Sequence, residues 1–135
     1  MGSIREDILT ARTPEYVWDA IRDIGAVHRR LVPDQVVDTT MDGDIRILTF
    51  SSGGMARELI VAVDEEARRM AYAVIDGPVP LTHHHASFQV FSAGEKNSRL
   101  VCITDSLPNE FAEEVRLRVE RLARTMKQTM EASTM

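Results

Sequence analysis

Tight turns divide the middle of the chain, and they constrain its fold more than any other feature. Between residues 36 and 105, segments with alternating apolar and polar residues are separated by turns such as Asp42-Gly43-Asp44, Ser52-Gly53-Gly54 and Asp76-Gly77-Pro78. Connections this short join antiparallel neighbours, because parallel strands need a crossover of about a dozen residues. The sequence therefore predicts an antiparallel meander.

Seven strands are predicted in all, one before the meander and six within it. Their predicted bounds are Ile4–Thr10, Val36–Met41, Ile45–Ser51, Arg57–Val63, Met70–Ile75, Thr82–Ser92 and Leu100–Asp105. Because successive side chains of a strand point to opposite faces of the sheet, each strand offers one face to a core and one to solvent.

Two short helices are predicted between the first strand and the meander. Thr13-Pro14-Glu15 is a helix start, because threonine caps free amides, proline suits the first helical position and an acid there complements the helix dipole. Gly25 interrupts this helix, and a second one is predicted over Ala26–Leu31.

A long amphipathic helix is predicted at the end of the chain. Its apolar residues recur every three or four positions within an arc of about 100°, and they are Phe111, Val115, Val119, Leu122, Met126 and Met130. Such a helix is about 30 Å long, comparable with the width of a sheet of six or seven strands. Laid across the concave side of a curved sheet, it leaves a space that side chains line.

The predicted fold class is therefore α+β. It consists of a curved antiparallel sheet of six to seven strands wrapped around the long C-terminal helix, with two short helices after the first strand. A chain of 135 residues fits a single domain, 1–135. We expect its ends, Met1–Ser3 and Ser133–Met135, to be disordered.

Charge and composition exclude some classes of function. A net charge of −5 has the wrong sign for a general binder of nucleic-acid phosphates. No stretch approaches the ~20 apolar residues of a membrane span. The single cysteine, Cys102, excludes an internal disulfide and fits a reducing compartment. We expect a cytoplasmic monomer or homodimer that binds no nucleic acid and does not integrate into a membrane.

Four segments carry a resemblance that extends from about Ile4 to Met130. They are Thr-Pro-Glu-Tyr-Val-Trp-Asp at 13–19, Arg-Glu-Leu-Ile-Val at 57–61, Thr-His-His-His-Ala-Ser-Phe at 82–88 and Ser-Arg-Leu-Val-Cys-Ile-Thr-Asp-Ser-Leu-Pro at 98–108. In these segments the chain resembles the START-related polyketide cyclase/dehydrase superfamily (SRPBCC). The resemblance implies a helix-grip fold with an elongated apolar cavity, and it implies no cofactor. It does not identify the ligand, because the superfamily includes lipid carriers and aromatic polyketide cyclases.

The candidate ligand-binding residues are taken from the helices and from the inward faces of the strands. They are Trp18, His28, Leu48, Phe50, Tyr72, His84, Phe88, Cys102, Phe111, Val115, Val119, Leu122 and Met126. Two of them have an equally simple structural role: Trp18 either anchors the core or walls the cavity entrance, and His28 belongs either to a solvated basic turn or to the cavity mouth. Similar sequences often carry a tryptophan near Cys102, so the smaller cysteine implies a roomier pocket.

The triplet His83-His84-His85 supplies the main acid–base candidate. On a strand His84 points to one face and its neighbours to the other, and the apolar residues that follow place His84 on the inner face. Two histidines at i,i+2 are too few for a catalytic zinc, which usually has three protein ligands, so no metal site is expected. Glu58 faces opposite to Leu59, and it lies either outside the sheet or as a polar point inside the cavity.

Three classes of function remain open at this stage. The first is a protein that binds a small hydrophobic or amphipathic ligand, lipid-like or aromatic polyketide-like, between sheet and helix. The second is a cyclase or dehydratase acting on a poly-β-carbonyl substrate, with His84 as base, Glu58 or Asp105 assisting, and Tyr72 donating to the oxyanion. The third is a protein-binding module, for which exposed Leu117 on the last helix is the main support.

Overall fold

The computed structural model describes residues 2–132. Its elements in chain order are β1 (Gly2–Thr10), α1 (Pro14–Arg22), α2 (Val27–Arg30), β2 (Val36–Asp42), β3 (Ile45–Phe50), β4 (Met55–Asp64), β5 (Arg69–Asp76), β6 (His83–Ser92), β7 (Ser98–Leu107) and α3 (Ala112–Ala132). A 3₁₀ turn, Asn109–Phe111, leads into α3. The predicted elements are all present, and most of their bounds differ by one or two residues from the prediction.

All seven strands form one antiparallel sheet in the order β1-β7-β6-β5-β4-β3-β2. Strands β2 to β7 form the predicted meander, and β1 pairs with β7, so the first strand of the chain lies beside the last. This arrangement, with the long C-terminal helix and the two short helices after β1, confirms the predicted α+β helix-grip fold.

The start of the chain differs from the sequence-based expectation. Gly2 and Ser3, expected to be disordered, belong to β1 and pair with Ser106 and Asp105. The reason is that β7 continues to Leu107, beyond its predicted end, and provides hydrogen-bond partners for them. Met1 and the predicted disordered segment Ser133–Met135 lie outside the described residues.

Helix α1 begins as its sequence predicts. The Thr13 hydroxyl accepts a hydrogen bond from the Tyr16 amide over 3.1 Å, and Pro14 takes the first helical position. Val17 and Ile21, on the apolar face of the helix, are fully buried in the core. The local signals for the start of the helix and for its inward face therefore agree with the tertiary structure.

Bulges interrupt the regular strand pairing in β2, β4 and β5. Val37, Val61 and Ile75 are the residues passed over where the pairing register shifts. Each of them is more than half exposed. Bulges bend a strand and increase its local twist, so the sheet curves at the strands that line the cavity described below.

The length of helix α3 predicted that it crosses the width of the sheet. The helix instead lies alongside β1. Near its start, a Cβ on Gly2 would come within 3.8 Å of Ala112. Near its end, Lys127 donates a hydrogen bond to the Leu9 carbonyl, and the Glu131 carboxylate accepts one from the Ala11 amide over 2.9 Å. Because the helix packs mainly on β1 and β7, space remains between it and the other strands.

We expect the Thr13→Ala variant to lower the free energy of unfolding by about 1 kcal/mol, since the capping hydrogen bond to the Tyr16 amide is lost. Urea unfolding followed by far-UV circular dichroism measures the change. Thr13→Ser is the matched control, because it keeps the capping oxygen. A Thr13→Ser variant as unstable as Thr13→Ala would show that the cap contributes little.

Candidate functional site

A cavity of about 300 Å³ opens between the sheet and α3. Its apolar wall combines residues from α2 and the segment that follows it, strands β2 to β6, the β5–β6 loop and α3. They are Val27, Leu31, Val32, Val36, Leu48, Phe50, Ala56, Met70, Val74, Val79, Leu81, Phe88, Val115, Val119, Leu122 and Met126. The volume is at the lower end of the range for small-molecule sites, which are likewise mostly apolar with a few polar groups. Its size fits one small organic molecule.

Exposed residues mark where the cavity meets solvent. They belong to the β3–β4 turn (Ser51 and Ser52), the β5–β6 loop (Pro78) and α3 (Arg118 and Arg121). We call these five residues the mouth. A ligand entering the cavity therefore passes two turns of the sheet and one cationic stretch of the helix.

A buried ion pair, Arg46 with Glu58, faces the cavity. The two residues are direct cross-strand partners on β3 and β4. Arg46 Nε donates to Glu58 Oε1 over 2.8 Å, and Arg46 Nη2 lies 2.7 Å from the same oxygen. Their side chains are only 3% and 7% exposed. Arg46 Nη1 also donates to the Ile24 carbonyl over 3.3 Å, which ties the pair to the segment between α1 and α2.

Tyr72 and Thr104 bring hydroxyl groups to the same wall. The Arg46 guanidinium lies 5.0 Å from the centre of the Tyr72 ring, and that ring stacks on Phe88. Burial raises the pKa of Tyr72, and the Glu58 carboxylate raises it further, so the phenol stays protonated and can donate. Burial also raises the pKa of Glu58, although Arg46 opposes this effect. The cavity thus holds cationic, anionic and hydroxyl groups close together.

His84 lines the cavity from β6, on the predicted inner face together with Phe88. Partial burial lowers the pKa of His84 to about 4, with a smaller contribution from His83 and His85. The ring is therefore neutral at pH 7, and it has both a hydrogen-bond donor and an acceptor nitrogen.

Ten of the sequence-predicted site residues line this cavity. They are Leu48, Phe50, Glu58, Tyr72, His84, Phe88, Val115, Val119, Leu122 and Met126. The structure thus brings together three of the four proposed catalytic residues and most of the apolar stripe of α3. It also resolves the position of Glu58, which lies inside the cavity, whereas Leu59 on the same strand is exposed.

Trp18 and His28 lie away from the cavity, contrary to the expectation that they contact ligand. Trp18 is a core residue, 6% exposed, and its indole Nε1 donates to Glu65 Oε1 over 2.7 Å. His28 is held against β2, where its Nδ1 lies 2.9 Å from the Thr39 hydroxyl. Val27 of the second helix and Leu31, directly after it, line the cavity, whereas His28 does not.

Cys102, Phe111 and Asp105 are also absent from the cavity wall. Cys102 is packed in the core, and burial raises the pKa of its thiol, so it behaves as an apolar residue. Phe111 belongs to the 3₁₀ turn, before the part of α3 that covers the cavity. Asp105 pairs with His85, and by strand alternation it lies on the face opposite to Thr104.

Seven polar residues of the cavity were not predicted from the sequence: Gln35, Arg46, Ser51, Ser52, Thr104, Arg118 and Arg121. A signal existed for Arg46, because a hairpin centred on the turn at Ser52 places Arg46 directly opposite Glu58. The two arginines of α3 are exposed at the rim of the cavity, beside the apolar stripe of the helix. Helical periodicity alone does not distinguish such positions from other solvent-exposed positions of the helix. Gln35 donates to the Thr125 hydroxyl over 2.8 Å and links α3 to the start of β2.

Within residues 2–132, no three His, Cys, Asp or Glu side chains are grouped so that they can hold a metal ion. In the same part of the chain, no helix has both the length and the apolar composition needed to cross a membrane.

The antiparallel sheet, the long C-terminal helix and the cavity between them define a START-like protein of the helix-grip class. The chain belongs to the family described as polyketide cyclase/dehydrase and lipid transport, whose sequence profile matches residues 1–133. This result confirms the superfamily inferred from the sequence. No curated protein matches the chain significantly.

Solved structures with the same fold come from bacteria and plants. XoxI of Bacillus cereus is 18% identical, with a TM-score of 0.84 over 97% of this chain and 94% of that one. A START superfamily protein of Mycobacterium smegmatis is 13% identical, with a TM-score of 0.77 over 97% and 98% of the two chains. Norcoclaurine synthase of Thalictrum flavum, in complex with dopamine and hydroxybenzaldehyde, is 20% identical, with a TM-score of 0.73 over 98% and 88%. At these identities the likeness shows the fold alone.

We expect Arg46→Met to lower the free energy of unfolding by about 3–5 kcal/mol, because it leaves the Glu58 carboxylate buried without its partner. The double variant Arg46→Met/Glu58→Leu should be within about 1 kcal/mol of the wild type, or more stable, since both charges are gone. Urea unfolding measures both. Arg5→Met, which breaks the exposed pair with Asp7, is the control and should have a much smaller effect, because water solvates both charges. A double variant as unstable as Arg46→Met would contradict this account.

We expect the stability of the protein to fall between about pH 6.5 and pH 4 partly because of His84. Over this range an unfolded histidine binds a proton, whereas His84 in the folded protein, with its pKa lowered to about 4, does not. The unfolded state therefore gains protons first, and stability decreases as the pH falls. His84→Gln should reduce this decrease by roughly 1–2 kcal/mol, less than for a fully buried ring. Thermal unfolding across the pH range tests this, with the exposed His83→Gln as the matched control.

Proposed function

We propose that the protein binds one small amphipathic molecule in the cavity, with a polar group of that molecule directed at Arg46, Glu58 and Tyr72. The observation that carries the proposal is a buried, hydrogen-bonded ion pair facing an otherwise apolar cavity. Buried ion pairs add little net stability, and well-packed apolar residues in their place are often as stable. Their presence here is better explained by a ligand than by the fold.

The polar group offers specific chemistry to a ligand. Arg46 and the Tyr72 hydroxyl donate hydrogen bonds, whereas Glu58 accepts them. A hydroxyl group on the ligand satisfies both kinds of partner, and a carbonyl group satisfies the donors. The apolar wall supplies most of the binding free energy, at roughly 25 cal/mol for each Å² of apolar surface removed from water. This division fits lipid-like and aromatic ligands alike.

The strands set the depth of the site. Arg46 lies five residues before Ser51, and Glu58 lies four residues after Gly54, which also lines the cavity. At about 3.3 Å per residue, the ion pair lies ~13–17 Å from the β3–β4 turn at the mouth. An elongated ligand of about this length reaches from the polar group to solvent.

A second candidate function is catalysis in the same cavity, as a cyclase or dehydratase acting on a poly-β-carbonyl chain. It is favoured by the presence of His84, Glu58 and Tyr72 on one cavity wall. His84, neutral at pH 7, would accept the proton alpha to a carbonyl while the protonated Tyr72 hydroxyl donates to the developing enolate oxygen. Glu58 has a smaller role in this scheme than the sequence analysis gave it, because its carboxylate is engaged by Arg46.

We expect purified protein to carry, or to be stabilised by, a small apolar compound, and we expect Ala56→Phe to abolish this binding. Ala56 is buried in the cavity wall, so a phenyl ring there fills the space that the ligand needs. Native mass spectrometry and thermal-shift screening with fatty acids and aromatic polyketides measure the binding. Val61→Phe, on the exposed face of the same strand, is the matched control.

The outcome of this experiment also separates the two candidate functions. A bound compound that is recovered with its mass and its chromatographic retention unchanged indicates a binding protein. A poly-β-carbonyl compound that loses water indicates a dehydratase, and one converted to an isomer of equal mass with a different retention indicates a cyclase. If the wild type binds no compound in either screen, or if Ala56→Phe binds as the wild type does, the proposed site is wrong.

A further inference from the structure

Two arginines at the mouth carry an inference about the ligand, which rests on the function proposed above. Arg118 and Arg121 lie one turn apart on α3, and both line the cavity while their residues remain exposed. Residues three apart on a helix are neighbours on its surface, so the two guanidinium groups border one part of the opening.

These two cations are weakly engaged within the protein. Arg121 forms no ion pair with any residue in 2–132, and the contact of Arg118 with Glu114 is 3.6 Å long between half-exposed side chains. Arg116, on the same helix, behaves differently: it is paired with both Glu113 and Glu120 and does not line the cavity. The two arginines of the mouth, Arg118 and Arg121, are therefore left with donors for an external acceptor.

We propose that Arg118 and Arg121 bind an anionic head group, so that the ligand is an amphipathic acid lying with its head at the mouth and its apolar body in the cavity. Guanidinium groups form paired, charge-assisted hydrogen bonds with carboxylates and phosphates. The protein as a whole carries a net charge of −5, so its overall field does not favour anions and any attraction must be local. The ~13–17 Å between mouth and ion pair gives such a ligand a polar contact at each end.

The test compares ligands that differ only in their head group. Decanoate and decan-1-ol share one chain, and 2-naphthoate and 2-naphthol share one aromatic body; decyl phosphate separates a phosphate head from a carboxylate head. Titration calorimetry gives the Kd of each for the wild type and for Arg118→Gln/Arg121→Gln. Arg124→Gln/Arg116→Gln is the matched control, since it removes the same charge from the same helix at positions that do not line the cavity. Thermal unfolding checks that every variant is folded.

The expected result is that the acid of a pair binds the wild type about tenfold more tightly than its neutral analogue, corresponding to two partly exposed charged contacts. This preference should disappear in Arg118→Gln/Arg121→Gln, persist in the control and in Arg118→Lys/Arg121→Lys, and weaken with salt, because exposed charges are screened. The affinity of the neutral analogue should not change in any of them.

Two other results have distinct meanings. Equal binding of acid and neutral analogue by the wild type, with no effect of the double variant, overturns the role of the arginines but leaves the ligand-binding cavity in place. No binding of any of the compounds by the wild type overturns the proposed function, and this inference with it. A stronger response to decyl phosphate than to decanoate, lost in the double variant, supports the anion site and identifies a phosphate head.

Discussion

The attachment of α3 to β1 is the constraint on which the site depends. Hydrogen bonds from Lys127 to the Leu9 carbonyl and from the Ala11 amide to Glu131 hold the C-terminal half of the helix beside the edge strand. A helix held at one edge of a curved, seven-stranded sheet cannot also pack closely on the strands at the other edge. The cavity is therefore a consequence of where the helix is anchored. The residues that face the cavity are not required for packing against the helix, so their identity can suit a ligand.

Structural features that depend on neighbouring residues were predicted from the sequence more accurately than features that depend on residues far apart in the chain. The turns, the cap at Thr13 and the periodicity of α3 are local, so the strands and helices were predicted to within a few residues. The position of α3 along β1 was not, because it depends on pairs such as Lys127 with Leu9 that are far apart in sequence. The Arg46–Glu58 pair is predictable only in part. The register of the hairpin predicts that the two residues lie opposite each other, but it does not predict that both face inward.

Several apolar residues of β4 lie on its outer face, which misleads a sequence-based assignment of its faces. The strand reads as having its apolar face at Leu59, Val61 and Val63, yet these residues are exposed, while Glu58 is buried. Burial alternates regularly along the strand, so its two faces are kept, and hydrophobicity alone assigns the inner face to the wrong residues. A polar residue at an inward position breaks the usual hydrophobic pattern, and such breaks are expected at functional sites rather than in the rest of a fold.

The charged groups of the cavity differ in their cost to the stability of the folded protein. Arg46 and Glu58 satisfy one another, so the folded protein tolerates them without a ligand, at a cost in desolvation that apolar residues would avoid. Arg118 and Arg121 bear no such cost, since water solvates them at the mouth. A molecule that binds here must therefore compete with an existing ion pair at the deep end but only with water at the entrance. If the proposed function is correct, the mouth would discriminate between ligands by charge. The deep end would discriminate by the geometry of a neutral hydrogen-bonding group, because a second full charge beside the Arg46–Glu58 pair would be left without a partner.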